Sequence, residues 1–148
     1  MNVVERTVTA LEDEAVTLSY VNWTKEFQEI RDFCENIGRT LTVYTSDKEM
    51  VQVPIREILY FEALGDLVFC YTADDVYEVK SRLYQLEEQL EIFRILRGSK
   101  SVLVNIYHIA SVRSALNGRL YAKMENGEEI LITRSYAKRM MEEINEGI

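Results

Sequence analysis

Two hydrophobic periods divide the chain into a short N-terminal part and a longer part rich in alternation. Through residues 24–37 apolar side chains recur every three or four positions, the period of an amphipathic α-helix. Thr24 or Asn22 is suited to cap the start of this helix. Residues 3–9 and 15–21 alternate weakly and predict a pair of short strands. The apolar positions of the predicted helix are Phe27, Ile30, Phe33, Cys34 and Ile37.

From residue 40 onward most segments alternate with a period of two, which is typical of half-buried strands. Turn dipeptides separate several of these segments, namely Gly65-Asp66, Asn117-Gly118 and Asn126-Gly127. Asn-Gly between two alternating segments favours a tight β-hairpin, because both residues tolerate the positive φ angles that such a turn requires. The predicted strands cover residues 40–45, 50–54, 59–64, 67–72, 76–80, 102–104, 110–116, 119–124 and 128–133.

Two segments of the longer part have a helical period instead. They are residues 81–93, with Leu83, Leu86, Leu90 and Phe93 on one stripe, and residues 134–147. The whole pattern predicts a mainly β (α+β) domain over residues 41–148 with short peripheral helices. A small ββα extension over residues 1–40 is expected to precede it.

Charge is distributed unevenly along the 148 residues, whose net charge is −8. Residues 1–80 carry 7 basic and 16 acidic side chains, whereas residues 81–148 carry 10 basic and 9 acidic ones. The run from 92 to 124 contains six basic residues and no acid. The overall charge argues against a generic nucleic-acid binder, but the second half has a surplus of cations that suits a polyanionic partner. A merely uneven surface charge is the simpler alternative.

Basic and hydroxyl-bearing residues stand directly before an apolar strand. The block Val102-Leu103-Val104 predicts a buried strand, while Arg97, Ser99 and Lys100 just before it are costly to bury. This order favours a loop that presents cations and is anchored by the strand behind it. Plain solvation of Lys100 is the alternative interpretation.

Residues with catalytic potential are sparse. His108, the one histidine, is too few for a histidine-based metal site, and its apolar neighbours favour a packed side chain. Signatures of a serine or cysteine nucleophile and of a phosphate-binding glycine loop are missing. Cys34 and Cys70 lack motif spacing, the N-terminus does not resemble a signal peptide, and no apolar run reaches membrane length. We therefore expect a cytoplasmic protein that is not an enzyme and that needs no metal or cofactor.

Four stretches in sequence order carry a resemblance to a known family. Together they resemble the LytTR-type DNA-binding domain of bacterial transcription regulators, over residues 53–145. The two C-terminal stretches are the more specific, because a basic-Ser patch, a Val-Asn strand, an Asn-Gly hairpin and an Arg-x-Tyr helix start follow one another. The stretches are IREILYFEA (55–63), VYEVKSRLYQLEEQL (76–90), LRGSKSVLVNIYHIASVRSALNGR (96–119) and NGEEILITRSYAKRM (126–140).

The resemblance implies an elongated β–β–β architecture that reads DNA with three successive loops rather than with a recognition helix. Here those loops are residues 65–67, 97–101 and 133–136. Arg134 is expected to read guanine in the major groove, since its guanidinium matches O6 and N7 in bidentate fashion; helix capping is its alternative role. Lys100 suits phosphates or groove acceptors. Expected backbone contacts come from Arg97, Ser99, Ser101, Tyr136, Lys138 and Arg139, with Lys80 and Arg82 as weaker candidates.

Two positions differ in their expected role. Asp66 occupies the first loop, where the family often has a polar or basic base-reading residue. A carboxylate is repelled by phosphates, although it can accept a hydrogen bond from a cytosine amine. Asn105 follows the apolar strand and is expected to hold backbone groups rather than to contact a base.

The resemblance also bears on partners and regulation. The residues before the domain are too few for a receiver domain, so aspartyl phosphorylation is not expected. The family's DNA sites tend to be paired repeats, which favours a homodimer on double-stranded DNA. The helix at 24–37 is a candidate dimer surface or docking site, and a small integral membrane protein is a hypothetical regulator. The alternative function is a protein-binding module of the same fold that sequesters a partner.

Overall fold

A computed structural model describes residues 1–146, and the chain divides into two compact units, residues 1–37 and residues 38 onward. Residue 147, which the predicted C-terminal helix includes, lies outside the described residues. In the described part of the chain no helix has the length and apolar character needed to cross a bilayer.

The first unit contains one α-helix, α1 (Lys25–Asn36), and the hydroxyl of Thr24 caps it by accepting from the N–H of Phe27. The predicted strand pair was wrong: residues 1–24 hold one 3₁₀ turn, Leu11–Asp13, and no strand. Most apolar side chains of this segment remain exposed, with Val3 at 88% and Val21 at 96%. Two weakly alternating segments with no third layer to cover them cannot bury enough surface to form a stable hairpin.

The described residues of the second unit form ten strands and two α-helices. The helices are α2 (Leu83–Leu90) and α3 (Arg134–Glu146). The first five strands are β1 (Thr40–Tyr44), β2 (Met50–Pro54), β3 (Tyr60–Leu64), β4 (Leu67–Tyr71) and β5 (Val76–Val79). The other five are β6 (Ile95–Ser99), β7 (Val102–Asn105), β8 (Ile109–Ser114), β9 (Leu120–Met124) and β10 (Glu129–Ile132).

All strand pairs are antiparallel. Seven strands form one sheet in the order β2-β1-β5-β4-β3-β7-β6, and three form a second sheet in the order β10-β9-β8. The predicted mainly β (α+β) class is confirmed. The Asn117-Gly118 and Asn126-Gly127 hairpins are confirmed too, joining β8 to β9 and β9 to β10, and Gly65-Asp66 joins β3 to β4.

Two hydrophobic cores lie on the two faces of the seven-stranded sheet. Phe61 and Leu103 pack with α2 in the first core, whereas their neighbours Tyr60, Val102 and Val104 pack with the three-stranded sheet and α3 in the second. Successive side chains of a strand point to opposite faces. The block Val102-Leu103-Val104 is therefore buried on both sides, as its continuous apolar sequence predicts.

Two local boundaries differ from the prediction. The helical segment 81–93 becomes α2 followed by a 3₁₀ turn, Glu91–Phe93, and Arg82 rather than Ser81 occupies the N-cap position. The predicted loop at 97–101 was wrong in extent, because β6 runs through Ser99 as far as the turn at Lys100. Pairing with the buried strand β7 supplies backbone hydrogen bonds that the local sequence does not reveal.

Candidate nucleic-acid interface

Two hairpin turns lie side by side at one end of the seven-stranded sheet. The turn Gly65-Asp66 follows β3, and the turn Lys100-Ser101 precedes β7, which is the neighbour of β3. The N–H of Ala63 donates to the carbonyl of Ser101 over 2.8 Å, so the pairing continues up to the turns. Because neighbouring strands are roughly 5 Å apart, the two turns are presented to the same ligand surface.

A cleft lies beside the second of these turns, between it and the start of α3. The N–H of Thr133 donates to the carbonyl of Gly98 over 2.9 Å and closes the floor of the cleft. A Cβ on Gly98 would lie 3.2 Å from Cγ2 of Val104 and 3.5 Å from Cγ1 of Ile132, so glycine permits this close approach. The residues that line the cleft include one lysine and five with a hydroxyl group: Lys100, Ser99, Ser101, Thr133, Ser135 and Tyr136.

Lys100 is exposed at the tip of the β6–β7 turn. The hydroxyl of Ser99 accepts from the N–H of Ser101 over 3.2 Å, and the two hydroxyls lie 3.4 Å apart. These short-range hydrogen bonds order the turn that carries the lysine. The turn therefore presents a cation flanked by two hydroxyls, groups that bond phosphate oxygens.

Arg97 supports this turn from inside the fold. Its Nε donates to the carboxylate of Glu87 on α2, and its Nη1 donates to the carbonyl of Lys100 over 2.9 Å. The Arg97 side chain is only 13% exposed. The guanidinium thus fixes the backbone of the turn, and a direct DNA contact of Arg97 stays a prediction.

Arg134 is the first residue of α3 and is exposed. It stands between two residues that line the cleft, Thr133 and Ser135. Its aliphatic part crosses the β8–β9 turn, where a Cβ on Gly118 would lie 3.2 Å from Cγ of Arg134. Gly118 also has a φ of +74°, which glycine adopts without strain. The glycine therefore leaves the path of the arginine side chain open.

The first turns of α3 supply further polar groups beside Arg134. Lys138 is exposed and lies one helical turn further along, so both cations project from one face of the helix. Tyr136 is half-buried, packs against the second core and still lines the cleft. Arg139 pairs with Glu91 through exposed side chains. The predicted third loop thus reduces to Thr133, because α3 already begins at residue 134.

Acidic side chains limit the positive surface. Glu62 and Glu129 line the cleft, and Glu129 pairs with Arg113 over 3.3 Å between Nη2 and Oε2. Asp66 is exposed in the neighbouring turn between Leu64 and Leu67, which are 53% and 47% exposed. Carboxylates therefore lie beside the cations of the Lys100 turn and of the start of α3, a pattern that favours one docking orientation.

The remaining polar candidates hold structure. Asn105 is 2% exposed; its Nδ2 donates to the carbonyl of Ile58 over 2.8 Å and its Oδ1 accepts from the N–H of Tyr107 over 3.1 Å. Its predicted structural role is confirmed. His108 is partly buried as predicted, with Nδ1 2.7 Å from the Glu125 carboxylate. Burial raises the pKa of the Cys70 thiol to about 12, so this sulfur is a poor nucleophile.

Some residues of the site escaped the sequence analysis. Glu62 enters the cleft because β3 pairs with β7, with Glu62 opposite Val102. Glu87 reaches Arg97 from α2 across ten residues of sequence. Their residue types gave no signal, because each position depends on which elements meet in three dimensions. The same contacts place Lys100 and Tyr136 on one cleft.

Comparisons with known proteins agree with this architecture. The family model of the LytTr DNA-binding domain matches residues 48–145. A solved LytTr DNA-binding domain from Bacillus cereus has the same fold, with a TM-score of 0.66 and 24% identity, over 70% of this chain and 94% of that chain.

Two similar proteins come from Staphylococcus aureus, and both carry the name of an uncharacterised HTH-type transcriptional regulator. The protein of strain NCTC 8325 is 29% identical over 108 residues, which is 73% of this chain and 72% of that protein. The protein of the bovine strain RF122 is 30% identical over the same length and coverage. A DNA-binding domain of this kind points to a regulator without enzymatic activity. Because the matched domain covers more than half of the chain, the chain belongs to the LytTR family of DNA-binding proteins.

Proposed function

We propose that this protein is a cytoplasmic, sequence-specific transcriptional regulator that binds double-stranded DNA as a homodimer on paired repeats. The observation that carries the proposal is the meeting of Lys100, Tyr136 and the start of α3 around one cleft, whose lining residues include five with a hydroxyl group. Cations and hydroxyls at strand and helix ends are the groups that hold a phosphate backbone. A small membrane-protein regulator is a further hypothesis that rests on the family resemblance.

Base reading falls to Arg134 in this proposal, with Lys100 and Lys138 neutralising phosphates. Arg134 is exposed, stands in sequence between the cleft residues Thr133 and Ser135, and its side chain crosses the β8–β9 turn, so its guanidinium can reach a groove. In residues 38–146, α2 and α3 are separated by five strands, an order without a helix-turn-helix. Turns and the first residues of α3 therefore read the DNA here.

A second candidate function is a protein-binding module that sequesters a partner. Glu62, Glu129 and Asp66 beside the cations favour it, because carboxylates repel a phosphate backbone. The −8 net charge acts in the same direction.

Salt titration separates the two functions. The probe is a duplex that the protein itself selects from fragmented genomic DNA of its host. Lys100 and Lys138 of both copies neutralise four phosphates, which gives a slope of log affinity against log salt of about −3.6, so affinity falls about 150-fold between 50 and 200 mM salt. If the protein selects no duplex, or if its binding does not change with salt, the DNA-binding function is rejected and the protein-binding module remains.

Single substitutions then test the site. Arg134→Ala is expected to cost roughly 1–3 kcal/mol and to relax base preference at one position. Lys100→Ala is expected to weaken binding to all sequences and to flatten the salt slope by about one unit for each bound copy. Arg56→Ala is the matched control: this exposed arginine precedes β3, at the sheet end opposite the turns. If all three variants bind alike, the site is assigned wrongly.

A further inference from the structure

The first unit presents an apolar stripe that remains partly exposed. No residue of α1 is fully buried: Phe27, Ile30 and Cys34 are half-buried, and Ile37, just after the helix, is 55% exposed. At the N-terminal end of the helix, the rings of Tyr20, Trp23 and Phe27 cluster, with the Tyr20 and Trp23 centroids 5.0 Å apart. An exposed apolar stripe beside an aromatic cluster is typical of an interaction surface.

The spacing of this stripe follows the rule of a coiled coil. Successive apolar residues are separated by three, four, three, four and three positions, which is the alternation of heptad positions a and d. Three of them lie within α1 and one follows its end, while the first two belong to the aromatic cluster. The positions are Tyr20, Trp23, Phe27, Ile30, Cys34 and Ile37.

Charges beside the stripe match a second copy of the same helix. With Phe27 at position a, Glu26 falls at position g and Arg31 at position e. In a parallel pair, a g residue faces the e residue five positions further along the partner helix. Glu26 of each copy then faces Arg31 of the other, which gives two attractive pairs. An antiparallel pair would not bring these two positions together.

We propose that α1 pairs in parallel with α1 of a second copy, through the stripe from Phe27 to Ile37 and two Glu26–Arg31 ion pairs. The proposal deepens the proposed function by naming the surface of the homodimer, and it rests on that function for its purpose. The seam covers less than two heptads, so self-association is expected to be roughly micromolar or weaker without DNA. On paired repeats, the first bound copy would then raise the effective concentration of the second at its repeat, which increases the affinity of the pair.

The carboxylate and guanidinium that form the pairs are ionised in the isolated chain. The pKa of Glu26 lies below its usual value, mainly because its own backbone N–H donates a hydrogen bond to the carboxylate. A hydrogen bond from the side chain of Thr24 lowers the pKa further. Arg31 already pairs with Glu35 over 3.0 Å on the same helix. This intrahelical pair is exposed, so it holds the guanidinium only weakly.

Charge reversal in the full-length chain tests the register. Glu26→Lys alone and Arg31→Glu alone each turn two attractive pairs into two repulsive ones, so each variant should self-associate about tenfold more weakly at low salt. An equimolar mixture of the two variants restores both pairs and should associate as wild type does. Sedimentation equilibrium without DNA measures all three, with Glu29→Lys as the control of equal charge change, because Glu29 falls at heptad position c, outside the seam.

Cys34 gives a second readout that does not depend on charge. In the parallel pair, position a faces position a, so oxidation should join two chains through Cys34. Cys34→Ser should remove the covalent dimer, whereas Cys70 is fully buried and does not compete. Covalent dimer formation should follow the same concentration dependence as sedimentation.

Two outcomes would overturn the proposal. A mixture that associates no better than its components excludes the parallel register. A chain that stays monomeric at every concentration assigns the stripe to a partner other than a second copy. The proposed DNA-binding function is tested separately, on the selected duplex cut to one repeat. One copy binds there without pairing of α1, so the charge variants should bind it as wild type does. A dimer that binds no duplex would sink the DNA-binding function alone.

Discussion

Replacement of Asn105 by alanine should destabilise the second unit by about 2–4 kcal/mol. The side chain is 2% exposed and joins the end of β7 to Ile58, which is fully buried. Alanine leaves the Ile58 carbonyl without its donor, at about 1–3 kcal/mol for a buried polar group. It also removes the bond to the N–H of Tyr107, at about 1 kcal/mol, because that residue is exposed and water can replace the acceptor.

Urea unfolding of the full-length chain measures this loss. With a slope of about 2 kcal/mol per molar urea, the midpoint should fall by roughly 1–2 M. Gln89→Ala on the exposed side of α2 is the control and should stay within about 0.5 kcal/mol of wild type. An Asn105→Ala variant as stable as that control would refute the structural role of this side chain.

Asn105→Asp sharpens the test through its pH dependence. The introduced carboxyl keeps the acceptor for Tyr107 but, when ionised, it faces the Ile58 carbonyl in a buried site. Burial raises the pKa of such a group in the folded state. Stability of this variant is therefore present at low pH and is lost as pH rises, so it should increase on acidification from about pH 8 to 5. A flat profile over that range contradicts the hydrogen-bond geometry.

Three further predictions follow from individual residues. Folded protein should react with a thiol reagent at Cys34 alone, and Cys70 should react only on unfolding, because it is buried and its pKa is about 12; fast reaction of both contradicts its burial. Burial raises the pKa of Tyr60, whose ring stacks on that of Tyr71 with centroids 4.4 Å apart. The stability that the neutral Tyr60 side chain contributes is therefore complete below about pH 10 and declines above it. Tyr60→Phe should flatten this decline, measured as the free energy of unfolding against pH. Arg97→Ala should weaken DNA binding without changing the salt slope, because Arg97 holds the turn; a slope reduced by about one unit would instead reveal a direct phosphate contact.

Much of the second unit is determined by the sequence itself. Alternation with a period of two specifies strands, and the Asn-Gly pairs specify two hairpins, because each signal depends on neighbouring residues alone. The family resemblance adds the order of the elements. The same local rules predicted two strands before residue 22 that do not form, since a strand also needs a partner layer to bury its apolar face.

Tertiary structure decided which side chains meet. Whether Arg97 faces solvent or supports a turn depends on α2 bringing Glu87 to it, and β7 pairs with β3 across some forty residues of sequence. Lys100 and Tyr136 share one cleft because Gly98 lets β10 and α3 approach β6 closely. Pairing and packing of this kind depend on the shape of whole surfaces, whereas a local pattern fixes only which face of each element is apolar.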